Sequence, residues 1–454
     1  MIGIVGAGIT GLTLHHYLNQ HGVESAVFEA AEEPGGVLRT VHNDGRVLDC
    51  GPQRTRLTPA IRELVDVVGL GNHVLEAADV PLYVYHAGSL KQAPLSLRTA
   101  ITTDLLSWHG KLRILLEPFT GQPREGETVE GYLTRAFGRE FATRLGGPLY
   151  AGLYASDPAE MPVEHSLKRA LDRFGIERNV LVKLLRTQLK GRTPPPVVSL
   201  EAGMQQLPRA LYEQYSDSVF LNAPARTIEE ASEGYELVTD EATTAVDEVV
   251  VTTPAPVAAS LLEEVDSASA AALHDLIYNP LAVVHLHADT SLMGAGHQVP
   301  FAEPHVTLGA TWNDGLFGQG ENTKPGVERT SSTATGRDGV YTCYLGGAKM
   351  PEAIEWSDEQ LGDVAATEFE EATGARTEPL HVHRLPLGMP AYDHSWDALG
   401  RVDPPPGIHL CANYESRAGI PGRVCQGKQL AAALATDATE SGETEAPRTR
   451  AIPK

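Results

Sequence analysis

Lysine is scarce in this sequence: nine residues against 27 arginines, and the basic residues together number 36 against 59 acidic ones. The resulting formal charge of -23 argues against a nucleic-acid partner, whose phosphates it would repel. Abundant carboxylate with so little lysine resembles proteins of salt-loving organisms, where dissolved ions screen the self-repulsion. Cysteine is rarer still. Cys50, Cys343, Cys411 and Cys425 are scattered and form no Cys-x-x-Cys pair, which argues against a disulfide framework or a zinc ribbon. No apolar run reaches the roughly 20 residues that cross a bilayer. No basic stretch precedes the first strand pattern, so a secretion signal is not expected, and the expected location is the cytoplasm.

What is present is the composition of a folded chain, 42% hydrophobic and 21% charged. At 454 residues it is too long for one simple core, and two or three structural units are expected. The opening "IGIVG" has the pattern of a buried strand, and "ITGLTLHHYLNQHG" follows with helical spacing of Leu12, Leu14 and Leu18. Between them lie Gly6, Ala7, Gly8, Ile9, Thr10 and Gly11. In such a loop the first glycine permits the tight turn, the second lets a pyrophosphate approach the backbone, and the third lets helix and strand pack closely. The helix N-terminus then offers free N–H groups to the phosphates. "ESAVFEA" reads as the second strand and ends in Glu29, 18 residues after Gly11, placed to accept hydrogen bonds from a ribose diol. Strand, turn, helix, strand and acid in this order predict a Rossmann-type dinucleotide site.

Gly35 and Gly36 in "EEPGGVLRT" are a pair typical of flavoproteins, and Gly51 and Pro52 in "DCGPQRTR" would put rigid, bare backbone near a flavin ring. With these residues the chain resembles the FAD-dependent amine oxidase superfamily. The stretch "GETVEGYLTRAFGREFATRLGGPLYAGLYASDPAEMP" (residues 126–162) is similar to the protoporphyrinogen and coproporphyrinogen oxidases within it. "SLEAGMQQLPRAL", "DEVVVTTPAPVAASLL", "TLGATWNDGLFGQG", "YLGGAKMPE" and "RLPLGMPAYD" are similar to further family stretches, so the resemblance runs over roughly residues 1 to 435.

The resemblance implies an α/β fold: a discontinuous Rossmann-type FAD-binding domain with a mixed-sheet substrate domain and a helical subdomain. Residues 1–80, 199–275 and 386–434 are expected to form the FAD-binding domain, 81–198 a helical, substrate-side region, 276–385 the mixed sheet, and 435–454 a disordered tail. Arg39, Gln53, Arg54, Ala225, Ala412, Asn413, Ala418, Gly419 and Ile420 are implied to lie against FAD beside the glycines already named. Three departures stand out. The closing turn carries an extra residue (Ser416-Arg417-Ala418-Gly419), Pro421-Gly422-Arg423 replaces Pro-Asp-Cys, and Val80-Pro81 stand where some members hold a substrate propionate with arginine.

The implied reaction is oxidation of a porphyrinogen, a flat, apolar, anionic tetrapyrrole, by FAD with oxygen or another electron acceptor. The cofactor carries such chemistry, so no nucleophilic triad is required and no catalytic residue is named. Arg56 is the first candidate to meet a substrate carboxylate and Arg54 the second. Other substrates of the superfamily, an amine or a carotenoid, are alternatives, as are redox-neutral use of the flavin and flavin binding without porphyrinogen turnover. The amphipathic helices between residues 90 and 200 allow a peripheral membrane contact beside the simpler reading of a solvated face. His285 and His287, like His381 and His383, are spaced to share strand faces, and they are read as strand-surface residues with no metal expected.

Overall fold

The computed structural model describes residues 1–120, 122–168, 171, 179–181, 183, 194–318, 336–415 and 419–442. Strand β1 (Ile2–Val5), helix α1 (Ile9–Gln20) and strand β2 (Ser25–Phe28) form in the predicted order. A parallel five-stranded sheet is then completed from far along the chain. Its order is Val219–Phe220, β2, β1, Glu248–Val251, Ile408–Leu410. Every residue of β1 and β2 is buried, as a parallel sheet covered on both faces requires. Ile2, Ile4, Val27 and Val250 share a core with Leu12, Leu14 and Leu18 of α1. Val5, Phe28, Val249 and Val251 join the opposite core with Ile228, Leu237 and the helix Ala255–Leu262.

The helix Ile420–Gly442 packs along α1, and Gly427 explains the close approach: a Cβ there would stand 3.1 Å from the Thr10 carbonyl oxygen. This helix corrects one expectation. Residues 435–442, assigned from the sequence to a disordered tail, continue it, because extending a helix already nucleated costs little in an alanine-rich stretch. Residues 443–454 lie outside the described residues.

The second sheet has seven strands, in the order Glu378–Pro390, Tyr278–His287, Val340–Gly346, Thr307–Trp312, Gly296–Gln298, Leu82–His86, Ser89–Gln92. The last two fall in the 81–198 interval expected to be helical; there "LYVYH" has the β-branched and aromatic character of a strand and pairs in parallel with Gly296–Gln298. Ala282, Val284 and Leu286 pack against Leu361, Ala365 and Phe369 of helix Asp358–Thr373. The opposite face carries Leu281, Val283 and His285, of which Leu281 packs with Ala155 and Leu308. The hairpin of β3 (Thr40–Asn43) and β4 (Arg46–Asp49) meets this face, where the Asp49 carbonyl oxygen lies 3.1 Å from His285 Nε2. Helices Trp108–Ile114, Val129–Phe137 and Gly147–Tyr154 lie in the described part of the 81–198 interval.

Candidate cofactor and substrate site

The glycine loop after β1 has the backbone that the sequence requires. Gly6 has φ +107°, which an L side chain rarely adopts, and its N–H donates to the Phe28 carbonyl at 2.8 Å. At Gly11 a Cβ would stand 2.0 Å from the Gly6 oxygen, so helix and strand could not pack with any larger residue. Gly8 is different: nothing lies within 4 Å of the position its Cβ would take. Its backbone faces open space at the start of α1. No side chain caps that helix and no acid stands in its first turn, so the N–H groups and the positive dipole end are free for an anion. Ala7 accepts the Gly35 N–H at 2.9 Å, and Gly8 bridges to Gly35, so the first two glycine turns form one cradle. Ile9 and Thr10 are buried behind it.

Glu29 closes the far end. One carboxylate oxygen accepts the Ala7 N–H at 2.6 Å and the other the Ala31 N–H at 2.9 Å. Each oxygen keeps a lone pair for a ribose hydroxyl. Ala225, half-buried, begins the strand that follows the Ala223 N–H donating to the Glu29 carbonyl.

Beyond the cradle, Gly51 abuts the Val37 carbonyl, Pro52 is exposed, and the chain turns inward. The Gln53 amide nitrogen and oxygen, Arg54 Nη1 and Thr55 Oγ1 are all buried without a hydrogen-bond partner. Burial, above all, pushes the Arg54 pKa down, while the neighbouring Tyr344 hydroxyl pulls it up. Arg56 has another destination: it is exposed and donates to the Pro195 carbonyl at 2.8 Å. Arg39 is half-buried, and its charge acts on Cys50, His381 and His383.

From the C-terminal side, Cys411 continues the sheet edge by donating its N–H to the Val251 carbonyl, and Ala412 is buried next to it. Asn413 Oδ1 accepts the Tyr278 hydroxyl at 2.9 Å, and that same phenol oxygen accepts the Ala255 N–H at 3.1 Å. The Tyr414 hydroxyl is buried and unpartnered. Gly419 has φ +94°, and buried Ile420 starts the last helix. Ala418, with Ser416 and Arg417, lies outside the described residues.

The sequence reading missed four contributors. Thr252 donates to the Val5 carbonyl at 2.8 Å and stands under Gly6; the Thr-Thr-Pro turn was a local signal for it. Tyr278 and Tyr414 had no such signal. Nor did Cys50, whose Sγ lies within 4.8 Å of ring nitrogens of both His381 and His383. The His285–His287 pair does not join this group: His285 is buried with its pKa depressed to about 3, chiefly by burial.

The arrangement offers an anion site at α1, a diol acceptor at Glu29 and a run of buried, unmet polar atoms between the two sheets. An extended dinucleotide with a polar ring system would fit these groups, and Gly8, Gly36 and the α1 N–H groups are the ones that would hold its pyrophosphate. Residues 9–435 match the family model described as flavin containing amine oxidoreductase. The chain is 28% identical over 400 residues to the chloroplastic protoporphyrinogen oxidase of Nicotiana tabacum, covering 80% of this chain and 70% of that one. With the mitochondrial protoporphyrinogen oxidase of the same plant it is 25% identical over 519 aligned positions, covering 98% and 97%. Its fold also matches a crystal structure from Exiguobacterium sp. 255-15, provisionally assigned as a protoporphyrinogen oxidase, at a TM-score of 0.77 and 22% identity over 96% of this chain and 98% of that one.

Proposed function

Because the chain belongs to the flavin-containing amine oxidoreductase family, with FAD as its cofactor, we propose that this oxidoreductase converts a porphyrinogen, protoporphyrinogen IX or coproporphyrinogen III, to the porphyrin. Bound FAD supplies the two-electron acceptor for each of three dehydrogenations, and oxygen or another acceptor takes the electrons onward. The names of the two tobacco relatives support the substrate class.

One observation in the site carries the reading: Arg54, half-buried with its Nη1 buried and unpartnered, stands beside Tyr344 on the inner face of the mixed sheet. A cation with a free, buried donor calls for a carboxylate, and a charge-assisted pair there is strong. Near it the sheet is apolar, with Leu281, Leu308 and Ala155 packed among Phe301, Leu385 and Met389. Apolar walls with one convergent cation suit a flat hydrophobic acid better than a small amine. Arg54 thus replaces Arg56 as the first substrate anchor, since Arg56 already serves the Pro195 carbonyl.

The proposal includes peripheral membrane contact, where such substrates partition. No helix among the described residues is long and apolar enough to cross a bilayer, but Trp108, Leu112, Leu115, Leu116 and Phe119 are exposed, with the half-buried Lys111 and Arg113 between them.

The test is to add each porphyrinogen anaerobically to the flavin-loaded protein, watch the flavin absorbance bleach, then admit air and follow porphyrin fluorescence. Arg54→Met should raise KM at least tenfold while the protein still binds FAD. A flavin that neither porphyrinogen bleaches sinks the proposal and returns the amine and carotenoid readings.

A further inference from the structure

Cys50, His381 and His383 stand together although nothing in the local sequence pairs them. Cys50 follows β4, and the two histidines lie on one face of Glu378–Pro390, the edge strand of the mixed sheet. Their candidate ligand atoms all lie within 4.8 Å of one another. The imidazole rings are stacked at 6.4 Å between centroids. His381 Nε2 is buried without a hydrogen-bond partner, and the Cys50 thiol makes a long contact, 3.7 Å, to the Leu48 carbonyl beside a bond with the Val41 backbone.

We propose that these three side chains form a binding site for a divalent d-block cation, Zn²⁺ being the best fit, that clamps the β3–β4 hairpin onto the edge of the mixed sheet. One thiolate and two imidazoles are a donor set that zinc takes in tetrahedral coordination, with a fourth position open to water. Ligand atoms around tetrahedral zinc stand about 3.5 Å apart, so side-chain rotation of roughly an ångström closes the present spacing. The backbone on either side is already fixed. Asn43 Nδ2 donates to the Leu380 carbonyl at 3.4 Å, the Cys50 N–H to the Arg39 carbonyl at 2.8 Å, and His285 Nε2 meets the Asp49 carbonyl on the neighbouring strand.

Charge around the site is mixed. Arg39 opposes a cation but favours the thiolate, and Asp49 and Asp358 act in the other direction on Cys50 and His381. Arg39 is half-buried, so its charge stays close to the three ligands. Cys50 directly precedes Gly51, and the metal's role there is structural: it clamps hairpin to strand, and no step of the oxidation passes through it.

Untagged, flavin-loaded protein is titrated with ZnCl₂ by calorimetry and with CoCl₂ by absorption at wavelengths beyond the flavin bands. The expected result is one Zn²⁺ per chain at micromolar Kd or tighter, tetrahedral Co²⁺ absorption, and a urea midpoint raised by zinc. Cys50→Ser and the half-buried His383→Gln should each weaken binding more than tenfold and abolish the zinc-dependent stabilisation. His383→Gln should keep the flavin spectrum. Cobalt that stays octahedral, or zinc bound as tightly by both variants as by the parent chain, overturns the site.

Discussion

The guanidinium of Arg337 stands 3.4 Å from the carboxylate of Asp49, and both side chains are almost fully buried, at 1% and 2% exposure. Asp49 also accepts from the Thr40 hydroxyl and the Met204 N–H, each at 2.7 Å, while Arg337 reaches Ser199 Oγ and the Leu200 carbonyl. Three distant segments meet at one ion pair. Burial pushes the Asp49 carboxyl up against the pull of Arg337, so the pair depends on its hydrogen bonds to remain ionised. Removing one partner leaves an uncompensated buried charge, which costs about 3–5 kcal/mol. Arg337→Met should therefore lower the urea midpoint far more than removal of the exposed Arg376–Glu370 pair, for which roughly 0–1 kcal/mol is expected.

Gly8→Ala and Gly11→Ala should separate cofactor binding from folding. The Gly8 methyl meets open space, so the apoprotein should keep its thermal midpoint while FAD affinity falls at least tenfold. The Gly11 methyl collides with the Gly6 carbonyl and should lower the midpoint of the apoprotein itself. Flavin fluorescence on dilution and calorimetry of the apoprotein give the two readouts. Equal loss of apoprotein stability in both variants would refute the assignment of Gly8 to the pyrophosphate.

Acid should destabilise the fold before the carboxylates protonate. His15, His285 and His297 are buried, and burial depresses their pKa values to about 4, 3 and 4. Unfolded, each takes a proton near pH 6.5. Their depressed values mean that stability is fully present above that pH and is lost as pH falls toward 4, by up to about 1.4 kcal/mol per unit for each histidine. Urea midpoints between pH 7 and 4 should fall steeply. His15→Gln, which can still bond Ser25 or Ser218, should flatten the slope.

The apolar residues of the 108–119 stretch should bind vesicles. Phe119 is 86% exposed and Trp108 70%, too much apolar surface in one place for a purely solvated helix. Phe119→Ser with Trp108→Ser should reduce flotation with phospholipid vesicles several-fold and leave FAD content unchanged. Equal flotation of both proteins removes the membrane from the proposal.

Salt should stabilise this chain. At -23, self-repulsion opposes the compact state, and screening shortens to about 10 Å at 0.1 M salt and about 3 Å at 1 M. The thermal midpoint should rise with KCl across that range. A midpoint insensitive to KCl would mean that the excess acid is already compensated within the fold.

The cofactor cradle was legible in the sequence because its signals are local. Gly6, Gly8 and Gly11 sit within one turn, and Glu29 ends a strand whose pattern is visible on its own. The seven-stranded sheet was legible only as stretches, since its order joins residues 82–92 to residues 296–298 across most of the chain. Side-chain destinations were the least visible part. Arg54 and Arg56 are two residues apart in the same run, yet only the packing of the two-residue strand Thr55–Arg56 against Val197–Val198 decides which turns inward. Cys50 and the His381–His383 pair looked unrelated for the same reason: their meeting is a property of how hairpin and edge strand dock.

The parallel sheet described above also sets a timetable. Its edge strand, Ile408–Leu410, and the helix that packs on α1 are the last described parts of the chain to leave the ribosome. Until they emerge, Glu248–Val251 has one unpaired edge, and the apolar side of α1 that this helix covers is bare. A nascent chain therefore carries its glycine cradle for most of synthesis without the walls to retain a flavin. Cofactor capture becomes a closing event of biogenesis, and a truncation that spares every glycine of the first fifty residues should still yield a colourless protein.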